Sequence, residues 1–230
     1  MNLHLFSTPG QDYLRDILAA SRTYLEGKPE ASLAYLPLAT LSPEKWLEFT
    51  EKSFGGLARI EPINTESMDE PEMEAILRRA RLVFIPGGNT FLLNHRLHTS
   101  RLMPFLRKKV QAGLPLVACS AGTVLCGPDV LTSRDLNMVP TTHFTGLNVS
   151  PFNFSVHYPE DEQGRADRDA WLSEYHVFHQ HPVIILADGA CVRVEKNKTS
   201  LESGEAWILR PGQEKKKLDP GVAIPVNENA

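Results

Sequence analysis

The sequence predicts an α/β fold, a three-layer sandwich around a mainly parallel sheet, and three observations predict it. Short apolar runs of strand length alternate with amphipathic stretches of helix length through the first half of the chain. Those runs, "RLVFIP" and "LPLVAC" among them, are apolar at successive positions, so both faces of the sheet are to be covered by helices. The 230 residues, 42% of them hydrophobic, suffice to bury such a core in one domain, expected to span 1–230.

The elements follow in order. "NLHLFS" reads as a strand, Pro9 and Gly10 as a turn, and Tyr13 to Leu25 as a helix with Leu14, Leu18 and Leu25 on one stripe. "ASLAYLPLA" is a second strand. Ser42 and Pro43 combine a capping hydroxyl with a proline at the first helical position, and Trp46, Phe49 and Phe54 supply that helix's apolar face. "LARIEPI" is a third strand, Glu70 to Ala80 a helix, and "RLVFIP" a strand. Met103 to Ala112, closed by Gly113, is a helix, and "LPLVAC" the next strand. Past Gly127 comes a long, turn-rich and aromatic segment without a clear period, which reads as a functional loop with Phe152 and Phe154 turned inward. Asp169 to His176 is a helical stretch. "PVIILAD", "ACVRVEK" and "EAWILRP" are strands expected to run antiparallel at the sheet edge.

A net charge of −4, from intermixed charges with one short basic run at Lys215 to Lys217, argues against nucleic-acid and anionic-membrane surfaces. Three cysteines, Cys119, Cys126 and Cys191, cannot all pair and match no zinc or redox spacing. No signal peptide or membrane span is read from the chain, so a cytoplasmic location is expected.

Ligands of open parallel sheets bind at the carboxyl ends of strands, and two loops stand out there: "PGGNTF" and "CSAGT". Paired glycines bring backbone N–H groups close to a ligand, although a two-glycine loop by itself is as readily a tight turn. In "CSAGT" two nucleophiles are adjacent. A strand-to-helix nucleophile elbow requires small residues two before and two after the nucleophile. Ala118 and Gly122 flank Ser120 in that way, whereas Cys119 would place β-branched Val117 there. Ser120 is therefore favoured, with Cys119 turned into the packing. A serine also needs a base and the base an orienting carboxylate. His157 is the leading base, His143 a weaker one, and Asp135 and Asp188 are the carboxylates in view. "HVFHQH" (His176, His179, His181) lacks a companion ligand at a recognisable spacing, so no metal is expected.

"PGGNTF", "CSAG", "SRDLNMV", "GLNVSPFNFSVHY" and "ADGA", in this order, with "YLPLA" and the Trp46 helix, resemble the peptidase E family, aspartyl dipeptidases among the serine peptidases. The resemblance covers nearly the whole chain. It implies a flavodoxin-like or class I glutamine-amidotransferase-like fold, a cytoplasmic exopeptidase releasing N-terminal aspartate from dipeptides, and neither metal nor other cofactor. It implies Ser120 as nucleophile and His157 as general base. For the third member it offers Asp188, standing where the family's "EG" motif has glutamate, and Asp135, which is alternatively a holder of the substrate amine. The N–H groups of Gly88 and Ala121 would form the oxyanion hole. Asn89 and Thr90 are expected to donate to the substrate, and Arg168, with Arg165 in reserve, to take its side-chain carboxylate. The chain departs from the family at Ala118, where glycine is usual, at Cys119, often tryptophan, and at Pro86, usually a third glycine. Competing expectations are a serine hydrolase of other specificity, such as a non-aspartyl dipeptidase, a small esterase or a cyanophycinase-like enzyme with a wider groove, and a catalytically silent binding module. The oligomeric state is expected to be monomer or homodimer.

Overall fold

The computed structural model describes residues 1–8, 13–28, 30–196 and 198–227. In chain order these form β1 (Asn2–Phe6), α1 (Tyr13–Leu25), β2 (Ser32–Tyr35), α2 (Pro43–Phe54), β3 (Arg59–Pro62), α3 (Glu70–Arg79), β4 (Leu82–Ile85), α4 (Thr90–Thr99), α5 (Leu102–Gln111), β5 (Leu116–Cys119), α6 (Ala121–Leu125), β6 (Asn153–Tyr158), α7 (Glu162–Phe178), β7 (Val183–Ala187), β8 (Cys191–Glu195), β9 (Lys198–Ser203), β10 (Ala206–Leu209) and β11 (Lys216–Lys217). Among the described residues they make two sheets, one ordered β3-β2-β4-β5-β1-β8-β9 and the other β11-β10-β7-β6. In the larger sheet β3, β2, β4, β5 and β1 are parallel, and β8 and β9 close the edge antiparallel.

Side chains alternate across a strand, and here the alternation builds two cores. Leu3, Leu5, Val83, Ile85, Leu116 and Ala118 face one cluster, capped by Leu77 of α3, Leu93 of α4, Leu106 of α5 and Val124 of α6. Leu33, Tyr35, Leu82, Phe84, Val117 and Cys119 face the other, capped by Ile17 and Leu25 of α1 and Phe54 of α2. This is the three-layer α/β sandwich that the apolar runs imply. Each such leucine contributes about 1.5–3 kcal/mol over an exposed one.

Several elements differ from the sequence reading, each for a physical reason. The second strand stops at Tyr35, because Pro37 cannot donate to a ladder. Helix α4 carries no amphipathic stripe, since residues 90–94 and Leu97 are all buried, and so leaves no periodic signal. "NFSVHY" is the strand β6 inside the segment read as irregular. It draws β7 parallel to itself and β10 beyond, so "PVIILAD" and "EAWILRP" leave the main sheet edge for the second sheet. Helix α7 begins at Glu162 rather than Asp169, capped by Asp161, whose carboxylate accepts from the N–H of Gly164 at 2.8 Å. Ser42 makes no side-chain cap; its N–H donates to Thr40 Oγ1 instead. Of the expected face of α2 only Phe54 is buried, while Trp46 and Phe49 are 49% and 40% exposed and stand edge to face on one another. The turn at Pro9 and Gly10 lies outside the described residues, as does the side chain of Leu14.

Helix α3 shows the most complete local stop-and-start chemistry. Asp69 accepts from the N–H of Glu72 at 2.9 Å, and the Glu72 carboxylate accepts from the N–H of Asp69 at 3.0 Å, a reciprocal capping box. Replacing Asp69 with alanine is expected to lower the unfolding free energy by about 1 kcal/mol, measured by denaturant titration, without changing turnover.

Candidate active site

Ser120 sits between the end of β5 and the start of α6 with φ 51° and ψ −114°. Such a backbone costs an L-residue of order 1–3 kcal/mol and persists only where its surroundings hold it. Here the Ser120 N–H donates to both Phe6 O (3.0 Å) and Ser7 O (2.9 Å) at the end of β1, and Thr123 Oγ1 donates to Phe6 O at 2.7 Å. The crossing of α6 over β4 leaves no room for a side chain two residues on: a Cβ at Gly122 would lie 2.4 Å from the Ile85 carbonyl oxygen. Ala118 and Gly122 are thus the small residues of an elbow centred on Ser120. The preceding Cys119 is buried among Phe6, Tyr35 and Val117 on the opposite face.

His157 is aimed by a bulge. Between Ser155, opposite Ile185, and Tyr158, opposite Ala187, strand β6 carries one residue more than β7, and His157 has φ 54°. Three contacts brace the bulge. The His157 N–H donates to Ser7 Oγ at 2.9 Å, and Arg168 of α7 donates from Nη1 to Ser155 Oγ and to the Val156 carbonyl at 2.9 and 2.8 Å. The imidazole then spans two partners: Nε2 lies 2.8 Å from Ser120 Oγ and Nδ1 lies 2.8 Å from Asp188 Oδ1. A carboxylate accepts only, so Nδ1 carries the proton and Nε2 accepts from the serine hydroxyl. Asp188 Oδ1 also accepts from Ser7 Oγ at 3.0 Å, and Thr8 Oγ1 is a second neighbour of Nδ1 at 3.1 Å. Sequence reasoning misses Ser7 and Thr8, whose one signal is their place just past the carboxyl end of the first strand.

The loop after β4 faces the same hydroxyl. Gly88 has φ +134°, and a Cβ there would meet the Ala39 carbonyl oxygen at 2.4 Å, so only glycine fits. The next N–H, that of Asn89, donates to that Ala39 carbonyl at 2.8 Å. Among the described residues the N–H groups of Gly88 and Ala121 have no protein acceptor. Backbone donors left open beside a nucleophile are what a developing oxyanion requires.

The remaining sequence candidates are placed differently. Asp135 is not joined to His157: its Oδ2 accepts from the Thr90 N–H at 2.7 Å and from Ser133 Oγ at 3.0 Å, at the positive end of α4. Asn89 is committed to structure, with Oδ1 accepting from the Leu92 N–H and Nδ2 donating to the Leu136 carbonyl, both at 2.9 Å. Thr90 is 1% exposed, so its side chain does not reach a ligand. These bonds fix the loop of residues 133–136 against the glycine loop after β4 instead of offering donors to a substrate. His143 stacks on His98. Arg165 lies over the rings of Tyr158 and Trp207. In "HVFHQH", His176 Nε2 lies 3.1 Å from the His181 carbonyl and His179 stacks on Tyr175.

Arg168 stands out electrostatically. Burial first, and then the charge of Arg134, lower its pKa from the ordinary arginine value. Among the described residues no carboxylate is within ion-pair distance of either guanidinium; the neighbouring Asp169 is taken by Lys215. Two crowded cations without an anion make a place suited to a carboxylate. Elsewhere, among the described residues, His4, Cys191 and Glu202 bring ligand-type atoms within 4.8 Å of one another. Arg193 Nη1 lies 3.2 Å from His4 Nδ1, which opposes a further cation there.

A serine on a strained strand-to-helix turn, bonded to a histidine that an aspartate orients, beside two open backbone donors, defines a serine hydrolase. The comparisons narrow this class. Residues 4–202 match the family model described as Peptidase family S51. A Streptomyces coelicolor protein named "Peptidase E" is 31% identical over 96% of this chain and 92% of its own length. A Drosophila melanogaster protein named "Probable alpha-aspartyl dipeptidase" is 36% identical over 57% of each chain. The crystal structure of a peptidase from an acI-B1 Actinobacterium superposes with a TM-score of 0.72 at 16% identity, covering 97% of this chain and 96% of that one, a likeness of fold. The chain belongs to peptidase family S51, and it is a serine-type peptidase.

Gly122→Ala is expected to lose about 1–3 kcal/mol of stability, because the new methyl meets a backbone carbonyl and not a flexible side chain. Thermal melts of wild type and variant would measure it.

Proposed function

We propose that the chain is a cytoplasmic exopeptidase that hydrolyses dipeptides bearing N-terminal aspartate, through an acyl-enzyme on Ser120. The observation that carries the hydrolytic step is the continuous path Ser120 Oγ, His157 Nε2, His157 Nδ1, Asp188 Oδ1, with 2.8 Å at each hydrogen bond. His157 takes the Ser120 proton as Oγ attacks the peptide carbonyl, and returns it to the leaving amine. Asp188 keeps the proton on Nδ1 and stabilises the imidazolium. The carbonyl oxygen, as it becomes an oxyanion, meets the N–H groups of Gly88 and Ala121. Water then repeats the sequence on the ester, with His157 again as base.

Aspartate specificity has its own support. Arg168 is a half-buried guanidinium with no carboxylate within ion-pair distance among the described residues, held against the backbone next to His157 and reinforced by Arg134. A neutral side chain would leave those charges unmatched. Asp135 Oδ1, with Oδ2 already accepting two hydrogen bonds, is the acceptor assigned to the substrate ammonium. The names of the relatives, peptidase E and alpha-aspartyl dipeptidase, agree with this reading. Three buried thiols in no disulfide suit a reducing compartment and support the location proposed.

Wild-type protein without added metal is expected to cleave Asp-Leu but not Glu-Leu, Asn-Leu, Leu-Leu or N-acetylated Asp-Leu, and Ser120→Ala to cleave none of them while melting normally. Cleavage of Leu-Leu at a similar rate would remove the aspartate pocket, and an active Ser120→Ala would remove the nucleophile. Arg168→Met should lower kcat/KM for Asp-Leu by roughly tenfold to a hundredfold, the worth of a charge-assisted hydrogen bond, and narrow the preference for Asp-Leu over Asn-Leu. An unchanged preference would assign the carboxylate to other groups.

A further inference from the structure

A cavity borders the same serine, and neither Arg134 nor Arg168 lines it. It measures about 270 Å³ and is lined by Ser7 and Thr8, by Ala39, Thr40 and Trp46, by Pro86 to Gly88, and by Cys119, Ser120 and His157. Among the described residues no lysine, arginine, aspartate or glutamate lines it, and Arg168 lies outside it against the backbone of β6. Trp46, half exposed in the first turn of α2, is one of its lining residues, whereas Phe54 of that helix is turned inward. Phe49 stands edge to face against the indole and steadies it.

Resting on the reading above, we propose that this cleft is the subsite of the leaving residue and that it selects an apolar or aromatic side chain, with Trp46 as the specificity-determining contact. Three features converge on that occupant. The leaving amine takes its proton from His157 Nε2, so the residue carrying it departs along the side on which His157 stands, and His157 is one wall of the cleft. The N-terminal aspartate needs a cation, and the residues lining the cleft supply none, so the aspartate side chain is assigned to Arg168 outside it and the cleft is left to the leaving residue. The volume lies just under the ~300 Å³ at which sites for drug-sized ligands begin, room for one residue and not for an extended chain. A charged side chain there would be desolvated without a partner, whereas a leucine or phenylalanine would cover the indole face and the Ala39 and Pro86 surfaces.

The test is kcat/KM for Asp-Gly, Asp-Ala, Asp-Leu, Asp-Phe, Asp-Glu and Asp-Lys with wild type, Trp46→Ala and Trp46→Phe, each checked for an unaltered melt. Wild type is expected to prefer Leu and Phe over Gly, Glu and Lys by about tenfold or more, the range a hydrophobic pocket gives. Trp46→Ala should collapse the Leu/Gly ratio severalfold, chiefly through KM, and Trp46→Phe should restore most of it. Equal rates for Asp-Glu and Asp-Leu in wild type, or a Leu/Gly ratio unchanged in Trp46→Ala, would overturn the proposal, and a uniform loss on all six substrates is such an unchanged ratio. The aspartate reading can fail separately. If neutral dipeptides are cleaved and Asp-Ala is not, the same ratio is read from Leu-Gly and Leu-Leu, and it supports or overturns the Trp46 subsite on its own.

Discussion

One buried hydroxyl ties the site together. Ser7, fully shielded from solvent at the end of β1, accepts from the His157 N–H and donates to Asp188 Oδ1, while its carbonyl accepts from the Ser120 N–H. His157, Asp188 and Ser120 come from three different segments, and this residue is bonded to each. Losing the hydroxyl would strand the His157 N–H on the bulge and remove a donor from the carboxylate, and an unsatisfied buried polar group costs about 1–3 kcal/mol. The strained backbones of Ser120 and His157 persist because such bonds leave them no relaxed alternative.

The two carboxylates in this region are separated by what already holds them. Asp188 receives hydrogen bonds from Ser7 and His157 and so belongs to the imidazole. Asp135 receives the first N–H of α4 and a serine hydroxyl and so belongs to the glycine loop after β4. The aspartate at 188, one methylene shorter than a glutamate, still reaches Nδ1 at 2.8 Å.

Much of this was legible in the sequence, for reasons that differ by element. The apolar strands of the main sheet and the amphipathic helices α1, α3 and α5 carry their own periodicity. The elbow is legible because sterics restrict its neighbours to small residues, as Gly122 shows against Ile85. Helix α4 is hidden because it is buried all round, and β6 because its bulge breaks the alternation at the very residue it serves to aim. Asn89 and Thr90 look like free donors in a glycine-rich loop, but the sequence does not reveal that a segment more than forty residues later binds them. Ser7 has no motif at all; its importance comes from the strand order.

That strand order also governs when the candidate site can be assembled. Strand β1 lies between β5 and β8, with Leu3 paired to Leu116 on one side and Val194 on the other. Pairings this distant in sequence form slowly and late. The backbone clamp on Ser120 needs only β1 and β5, whereas the carboxylate beside the histidine arrives with the later segment 183–195. A chain that holds Ser120 and His157 but stops before Asp188 lacks the carboxylate that meets His157 Nδ1, so the hydrogen-bonded path from the serine is complete only once that later segment has folded back.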